Sequence, residues 1–576
     1  MKSSRRIHRR AVDGEALALL PADLHPVLRR VYANRLVGPA EVEPRLARLL
    51  PVSGFKAATL AAQRLAIARA EQERIIVIGD FDADGATATA LTVSTLRRLG
   101  YSDVHYLVPD RFRFGYGLSP AIAEQAAELG PALLVTVDNG VSSVDGVARA
   151  NELGLEVVVT DHHLPGRERP AAAVMVNPNL PEETFAAKSL AGVGVVFYVL
   201  AALARELGEA GELDAREAQR SVLEGLDLVA LGTVADLVPL DFNNRILVAE
   251  GLRRIRSGHA RPGLQALFRA AGRDAAHASS SDLGFGIGPR LNAAGRLDDM
   301  SIGIDCLLAT TIAEALPVAE QLDQLNRDRR ELQGRMEDEA RAHLAAAQAA
   351  VTREQADGYC LYDPAWHEGV VGLVASRIKD QVRRPVVAFA DAGEPGLLKG
   401  SARSVPGVHV RDLIDAVAAS HPGLVLRFGG HAMAAGLSLR KGDLESFRQA
   451  FQEQLSAHRD TLQKPDVIWS DGALEPADFG LELARELAAA GPWGQAFPEP
   501  QFDGELEVLE SRVLKDRHLK MTVRHPAGGL PIDAICFNQP ELPTGEGLRF
   551  VYRLDVTRYR GLDQAQLIVE SIQPGH

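Results

Sequence analysis

No run of about 18 or more consecutive apolar residues occurs in this 576-residue chain, so a membrane-spanning helix is not expected. Cysteine is scarce. Cys306, Cys360 and Cys536 are the only three, lie far apart and match no zinc-ligand spacing. So sparse and odd a count suits a reducing compartment, and a cytoplasmic protein is expected. Positive charge is in deficit as well: the formal net charge is −13. That argues against a general polyanion binder, whose affinity comes from neutralising phosphates, while leaving room for a locally basic groove. The segment MKSSRRIHRR is basic, but AVDGEALALLPADLHP behind it carries acids and prolines, which is not a signal-peptide core.

What is present is ordinary globular material, 46% hydrophobic and 24% charged. The chain is too long for one core and should hold several domains. Its organising stretch is Arg74 to Thr89, RIIVIGDFDADGATAT. Arg74 to Ile78 reads as a buried strand bounded by Gly79, and Gly85 to Leu99 as a helix of good helix formers. Between them stand Asp80, Asp82 and Asp84. Three carboxylates that close repel one another unless a cation sits among them. One reading is an acidic solvated turn with Asp84 near a helix N-cap. The other is half of a hard-metal site, which needs ligands from elsewhere.

Further strands are read at Val104–Pro109, Leu133–Val137, Glu156–Thr160 and Ala172–Val176, with Ala-rich helical segments between them. This alternation implies βαβ units and a mostly parallel sheet, in which ligands sit at the carboxyl ends of the strands. Asp138 in VTVDNG ends one strand. Asp161, His162 and His163 in VVVTDHH end the next. Together with Asp80, Asp82 and Asp84, three separately coded groups converge on one sheet edge. Asp236 in DLVALGTVADLVPL is a fourth candidate, though alone it would read as a helix cap.

GDFDADG, VTVDNG, VTDHH and LGTVADLVPL resemble, in order, the four motifs of the DHH phosphoesterase superfamily. SLAGVGVVFY, GPRLNAAGRLDDMS, WHEGVVGLVASRIK and FGGHAMAAGLSL are similar to its RecJ branch of single-strand-specific exonucleases. The likeness covers nearly the whole chain. It implies two Mn²⁺ or Mg²⁺ ions held by Asp80, Asp82, Asp84, Asp138, His162 and Asp236, with Asp138 bridging and His163 facing the substrate phosphate. Carboxylate and imidazole donors suit these ions independently. In VPDRFRFGYGLS, cations and aromatic faces interleave, and the resemblance assigns substrate contacts to Arg111 and Tyr116. It also assigns phosphate binding to Arg290, Asn292 and Arg296, where Gly288 and Gly295 allow close backbone approach.

The domain order expected is an N-terminal helical segment over 1–50, a DHH catalytic domain over 51–305, a connecting helix over 306–355, a DHHA1 substrate-binding domain over 356–462 and an OB-fold over 463–576. The connecting helix carries a narrow stripe of Leu322, Leu325, Leu332 and Met336, with Pro317 in its first turn. In the α/β domain after it, Ser401, Arg403 and Ser404 beside Gly400, and His431 after Gly429 and Gly430, suggest a backbone nest for an anion. The resemblance makes Ser401, Arg403 and His431 the clasp for a terminal phosphate. The last part alternates apolar and polar residues in five strands, expected to form a small antiparallel barrel. Lys515, Arg517, His518, Lys520, Arg553, Arg558, Tyr559 and Arg560 would give it a single-strand-binding face.

The function expected is therefore a two-metal phosphodiesterase digesting single-stranded DNA from its 5′ end to 5′-mononucleotides, in recombination and repair. Two alternatives stand beside it. One is a DHH enzyme of short oligonucleotides or other small phosphate substrates; the other is a non-catalytic nucleic-acid-binding homologue. The resemblance further implies single-strand-binding protein and a helicase as partners and a monomeric state.

Overall fold

The computed structural model describes residues 5–109, 117–350, 356–462, 467–545, 547–559 and 561–574. Arg111 and Tyr116, with the rest of 110–116, lie outside them. The chain divides into two compact units, one of Met1–Val108, Tyr116–Gly288 and Pro465–His576, the other of Pro109–Gly115 and Pro289–Lys464.

The first unit opens with β1 (Arg6–Arg9), although that region was expected to be helical. Its catalytic sheet contains β2 (Ile75–Ile78), β3 (Val104–Leu107), β4 (Leu133–Val137), β5 (Glu156–Thr160) and β6 (Val174–Val176) in the order β3-β2-β4-β5-β6. Every pairing is parallel. IIVI of β2 and LLVTV of β4 are buried at every position, as parallel strands covered on both faces must be. The Gly192–Glu209 helix packs against the helices Lys56–Ala70, Ala83–Arg98 and Leu226–Ala235. Helix Ala83–Arg98 starts two residues earlier than the sequence suggests, because Asp82 caps it by accepting from the Gly85 N–H at 3.0 Å.

The second unit holds the Ile312–Ala350 helix, 39 residues long, with Pro317 inside it. Leu322 and Met336 of its expected stripe are buried. Five strands follow: β7 (Tyr359–Tyr362), β8 (Val386–Asp391), β9 (Leu397–Arg403), β10 (Arg427–Gly430) and β11 (Ala434–Arg440), in the order β10-β11-β9-β8-β7.

In the first unit again, β12 (Val467–Ser470) pairs in parallel with β1 as a separate two-stranded ribbon. The remaining strands are β13 (Phe502–Glu505), β14 (Glu507–Leu514), β15 (His518–Arg524), β16 (Ile532–Cys536), β17 (Arg549–Tyr559) and β18 (Leu562–Gln573). They form one six-stranded sheet, β13-β17-β18-β16-β15-β14. Two expectations need correction here. The sheet is mixed rather than antiparallel, since β16 and β18 run parallel, and among the described residues its end strands β13 and β14 do not pair to close a barrel. Alternation along each strand reveals which face is buried but not which strands are neighbours.

Candidate metal centre

Parallel register places the ends of β2, β4 and β5 side by side: Ile78 lies opposite Thr136, and Val137 opposite Thr160. The side chains just beyond them therefore meet. Asp80, Asp84, Asp138 and Asp161 are buried, and Asp82, His162 and Asp236 half-buried. Donor atoms of Asp80, Asp82 and Asp138 lie within 4.8 Å of one another. The same limit encloses Asp84, His162 and Asp236, and also Asp138, His162 and His163. Asp138 and His162 each belong to two of these groups.

Backbone geometry sets Asp138 and Asp84. Asp138 follows β4 with φ 62°, a left-handed conformation that Asp tolerates better than most residues, and so turns the chain off the sheet. Asn139 then ties the strand ends together by donating from Nδ2 to Ile78 O at 3.0 Å and Val137 O at 2.9 Å. Asp84 is gripped from another element: the Gly192 N–H donates to Oδ2 at 2.6 Å and the Val193 N–H to Oδ1 at 3.0 Å. These are orphan donors of the first turn of a helix, whose positive end favours a carboxylate. Gly192 and Gly85 permit this crowding. A β-carbon on Gly85 would come within 2.7 Å of the Asp80 backbone nitrogen.

The electrostatics reveal what the cluster needs. Burial first, and the charge of Asp82 second, push the Asp84 carboxyl up to about 7 despite the two amides. Burial and then the surrounding aspartates raise Asp138 well above the carboxylate range, and Asp236 likewise. Burial and the charge of His163 lower the His162 imidazole to about 4, so it is neutral at physiological pH. His162 Nε2 makes no hydrogen bond among the described residues, yet lies 3.2 Å from Asp138 Oδ1 and 3.5 Å from Asp236 Oδ2. A neutral nitrogen aimed at two carboxylates that suppress one another's ionisation fits a divalent cation between them.

Asp161 behaves differently. Burial would raise it, but His163 and the Val141 and His163 amides outweigh burial and hold it below the usual range. Its Oδ1 lies 2.8 Å from His163 Nδ1 and accepts the His162 and His163 N–H groups. Burial would lower His163, but this partnership dominates and raises it to about 9. His163 keeps 45% of its side chain accessible. Asp161 is thus an orienting group, a role that the sequence reading left unassigned. Its lack of outward exposure is invisible in a motif. The Gly192 and Val193 amides were likewise missed, because a backbone donor leaves no residue-type signal.

In the second unit, Ser401 and Arg403 lie on the interior strand β9, between β8 and β11. Among the described residues no backbone nest forms at Gly400: it is extended, and a β-carbon there would meet Phe389 Cε1 at 2.4 Å, so that glycine serves core packing. Ala402 lies buried in the same strand. Arg403 Nη1 donates to Ser401 Oγ at 2.9 Å and Ala402 O at 2.8 Å. Burial lowers its pKa, and Arg403 has no carboxylate within ion-pair distance among the described residues. A β-carbon on Gly372, in the first turn of the Val371–Val382 helix, would lie 2.8 Å from both Arg403 Nη2 and Ser401 Oγ. His431 sits in the β10–β11 turn, where its N–H donates to Ala434 O at 2.8 Å, while Ser404 N donates to Met433 O of the same turn.

Arg290 and Arg296 take protein partners. Arg290 Nη2 lies 2.7 Å from Asp323, and Arg296 Nη1 donates to Gly369 O at 3.3 Å. Asn292 is half-buried on the same Gly288–Leu297 helix. Gly288 packs closely on protein, with Ala235 Cβ 3.2 Å from its would-be β-carbon. On the six-stranded sheet, Lys520 pairs with Asp533 at 2.8 Å and Arg558 with Asp563 at 2.9 Å.

Comparison with known proteins agrees with this geometry. The chain matches the family descriptions "DHH family, N-terminal domain" over residues 74–233, "DHHA1 domain" over 343–457 and "RecJ OB domain" over 470–571. It is 50% identical over 561 residues to the single-stranded-DNA-specific exonuclease RecJ of Dickeya dadantii, covering 96% of this chain and 97% of that one. It is 49% identical over 580 residues to the protein of that name from Escherichia coli, covering 100% of both. The crystal structure of RecJ in complex with Mn²⁺ from Thermus thermophilus superposes with a TM-score of 0.81 at 29% identity, covering 99% of this chain and 79% of that one. Ordered motifs, a shared fold and identity of this extent over the whole length have one explanation: the chain belongs to the RecJ family.

Proposed function

We infer that the protein is a single-stranded-DNA-specific exonuclease that hydrolyses phosphodiesters 5′→3′, releases 5′-mononucleotides and acts in DNA recombination and repair. The observation that carries this reading is the donor cluster at the carboxyl edge of the parallel sheet, where Asp138 and His162 are each shared between two ligand groups. Relatives of this chain are named single-stranded-DNA-specific exonucleases, and neighbouring RecJ structures are described in complex with Mn²⁺ and with Mg²⁺.

Asp80, Asp82, Asp84, Asp138, His162 and Asp236 would hold two such ions, with Asp138 shared. When bound, the pair supplies Lewis-acid activation of water and charge neutralisation at the scissile phosphate. The protein's own part is positional. Gly192 and Val193 fix Asp84, Asn139 fixes the strand end carrying Asp138, and Asp161 orients His163 and favours its imidazolium. A cation on an accessible ring is suited to a phosphate oxygen. Ser401, Arg403 and His431 would read the 5′-phosphate, and Arg111, Tyr116, Arg290, Asn292 and Arg296 would contact the strand. Single-strand-binding protein and a helicase are the protein partners this reading carries, with the enzyme a cytoplasmic monomer. Among the described residues no helix is long and apolar enough to cross a membrane.

The test is digestion of single strands labelled at the 5′ or the 3′ end, in graded lengths, with Mn²⁺ added or withheld. Immediate release of labelled mononucleotide from the 5′-labelled strand alone, only with the ion present, is the expected result. Internal cuts, release from the 3′ end or activity on dinucleotides only would refute it.

A further inference from the structure

The ribbon of β1 and β12 is a two-stranded sheet of its own, tied to Asp503 of β13 through Arg9 and Ser470, and it pairs His8 with Trp469. Alternation along the two strands sorts their side chains. Ile468 and Ser470 are buried, whereas Arg6, His8 and Trp469 are exposed. Trp469 keeps 50% of its surface accessible, although a large aromatic so exposed forfeits much of the burial it could have had. Its edges are held. The His8 ring meets it at 5.7 Å and 71°, and the Arg10 guanidinium lies 6.0 Å from its centroid. Arg10 is itself anchored to buried Asp471 at 3.3 Å. Arg6 forms no ion pair among the described residues, and Glu570 of β18 pairs with Arg5 at 3.3 Å.

A braced, half-open indole among cations matches one occupant better than others. A nucleobase offers a π-face for the indole and a phosphate for the arginines, whereas an acidic peptide would use the charges and leave the ring idle. We propose that Trp469, with Arg6, His8 and Arg10 around it, is a stacking platform for a base of single-stranded nucleic acid, an anchor for long substrates that shares no residue with the six-stranded sheet or the metal centre. The proposal rests on the exonuclease reading for its substrate class.

The three tryptophans make it testable. Trp366 and Trp493 are 4% and 9% exposed, so quenching of tryptophan emission by a stacked base reports Trp469. Oligothymidylates of about 5 and about 30 nucleotides are added without divalent cation, and binding is followed in parallel by anisotropy of a labelled end. The longer strand should quench emission, and Trp469→Phe should remove that signal. Trp469→Ala should raise Kd for the longer strand by about 5-fold or more, the lower bound for one stacked base. Trp469→Phe should raise it less. With Mn²⁺, kcat/KM on the 5-mer should stay within about twofold of wild type in both variants. Should the alanine variant fail to fold, the quench and the phenylalanine variant still decide. Bound 30-mer without quenching, or equal Kd in wild type and Trp469→Ala, overturns the proposal. Failure of the wild type to digest either strand with Mn²⁺ would instead overturn the exonuclease reading, which the binding measurements do not depend on.

Discussion

Gly192 stands so close to Asp138 that a β-carbon on it would lie 2.4 Å from Oδ1 and 2.5 Å from the Asp138 Cβ. The first turn of the Gly192–Glu209 helix thus presses directly on one proposed ligand while its amides hold another, Asp84. Gly192→Ala must displace Asp138 by a substantial fraction of an ångström, because no real contact is that short. Displacements of about 1 Å at a reacting centre cost on the order of 100-fold in rate. The variant should lose about that much kcat, with a right-shifted Mn²⁺ titration and little change in circular dichroism. Wild-type metal dependence in Gly192→Ala would show that the helix start has no bearing on the centre.

Replacing Asp138 itself separates charge from backbone. Ala at φ 62° adds left-handed strain of roughly 1–2 kcal/mol, whereas Asn tolerates that conformation and removes only the carboxylate. Both substitutions should abolish hydrolysis, and Asp138→Asn should keep more of the wild-type Tm. Activity above about a tenth of wild type in either, near 1.4 kcal/mol of barrier, counts against a shared ligand.

The choice of end is the role proposed for Arg403. It is half-buried, has its pKa lowered by that burial, and points at Ser401 with a helix start beside it. A terminal phosphate carries more charge than an internal diester, and Arg can bind it with two parallel bonds. Arg403→Ala should therefore reduce the ratio of kcat/KM for 5′-phosphorylated over 5′-hydroxyl strands by about tenfold or more, at unchanged metal dependence. An unaltered ratio would remove Arg403 from end recognition.

Acid should loosen the clasp between the N-terminal arm and the C-terminal region. Burial alone would raise buried Asp503, but hydrogen bonds from Arg9, Ser470 and Arg549 overcome this and lower it. A carboxyl depressed in the folded state stabilises above its unfolded value, about 3.9, and that contribution is lost as pH falls through the folded value. The Tm of wild type should therefore exceed that of Asp503→Asn at pH 7, with the gap closing below about pH 4. A gap that persists unchanged into acid would mean that the carboxylate's charge is not what the clasp uses.

Much of the donor cluster was legible because its chemistry is written in residue types at strand ends. Buried strands with apolar runs, each followed by Asp or His, give away both the sheet and its functional edge. Asp161 carried the same signal but a different task, since its role depends on who accepts whose N–H. The anion nest expected at Gly400 was misread for a related reason: glycine marks a place where no side chain fits, and here Phe389, not a ligand, fills that place. The parallel β16–β18 pair and the β1–β12 ribbon join residues distant in sequence, and strand alternation holds no information about such partners.

That ribbon has a consequence for how the chain is made. Arg9 meets Asp503 across 494 residues of sequence, and among the described residues β1 pairs with β12 alone. At roughly 5–20 residues per second, the arm leaves the ribosome about half a minute to a minute and a half before its partner does. Throughout that interval its arginines and Ile7 stand open, while the catalytic sheet, assembled from neighbouring βαβ units, has no such wait. The first unit is thus finished last at the point where its chain began, and a nascent enzyme carries a formed nuclease edge before its ends are fastened.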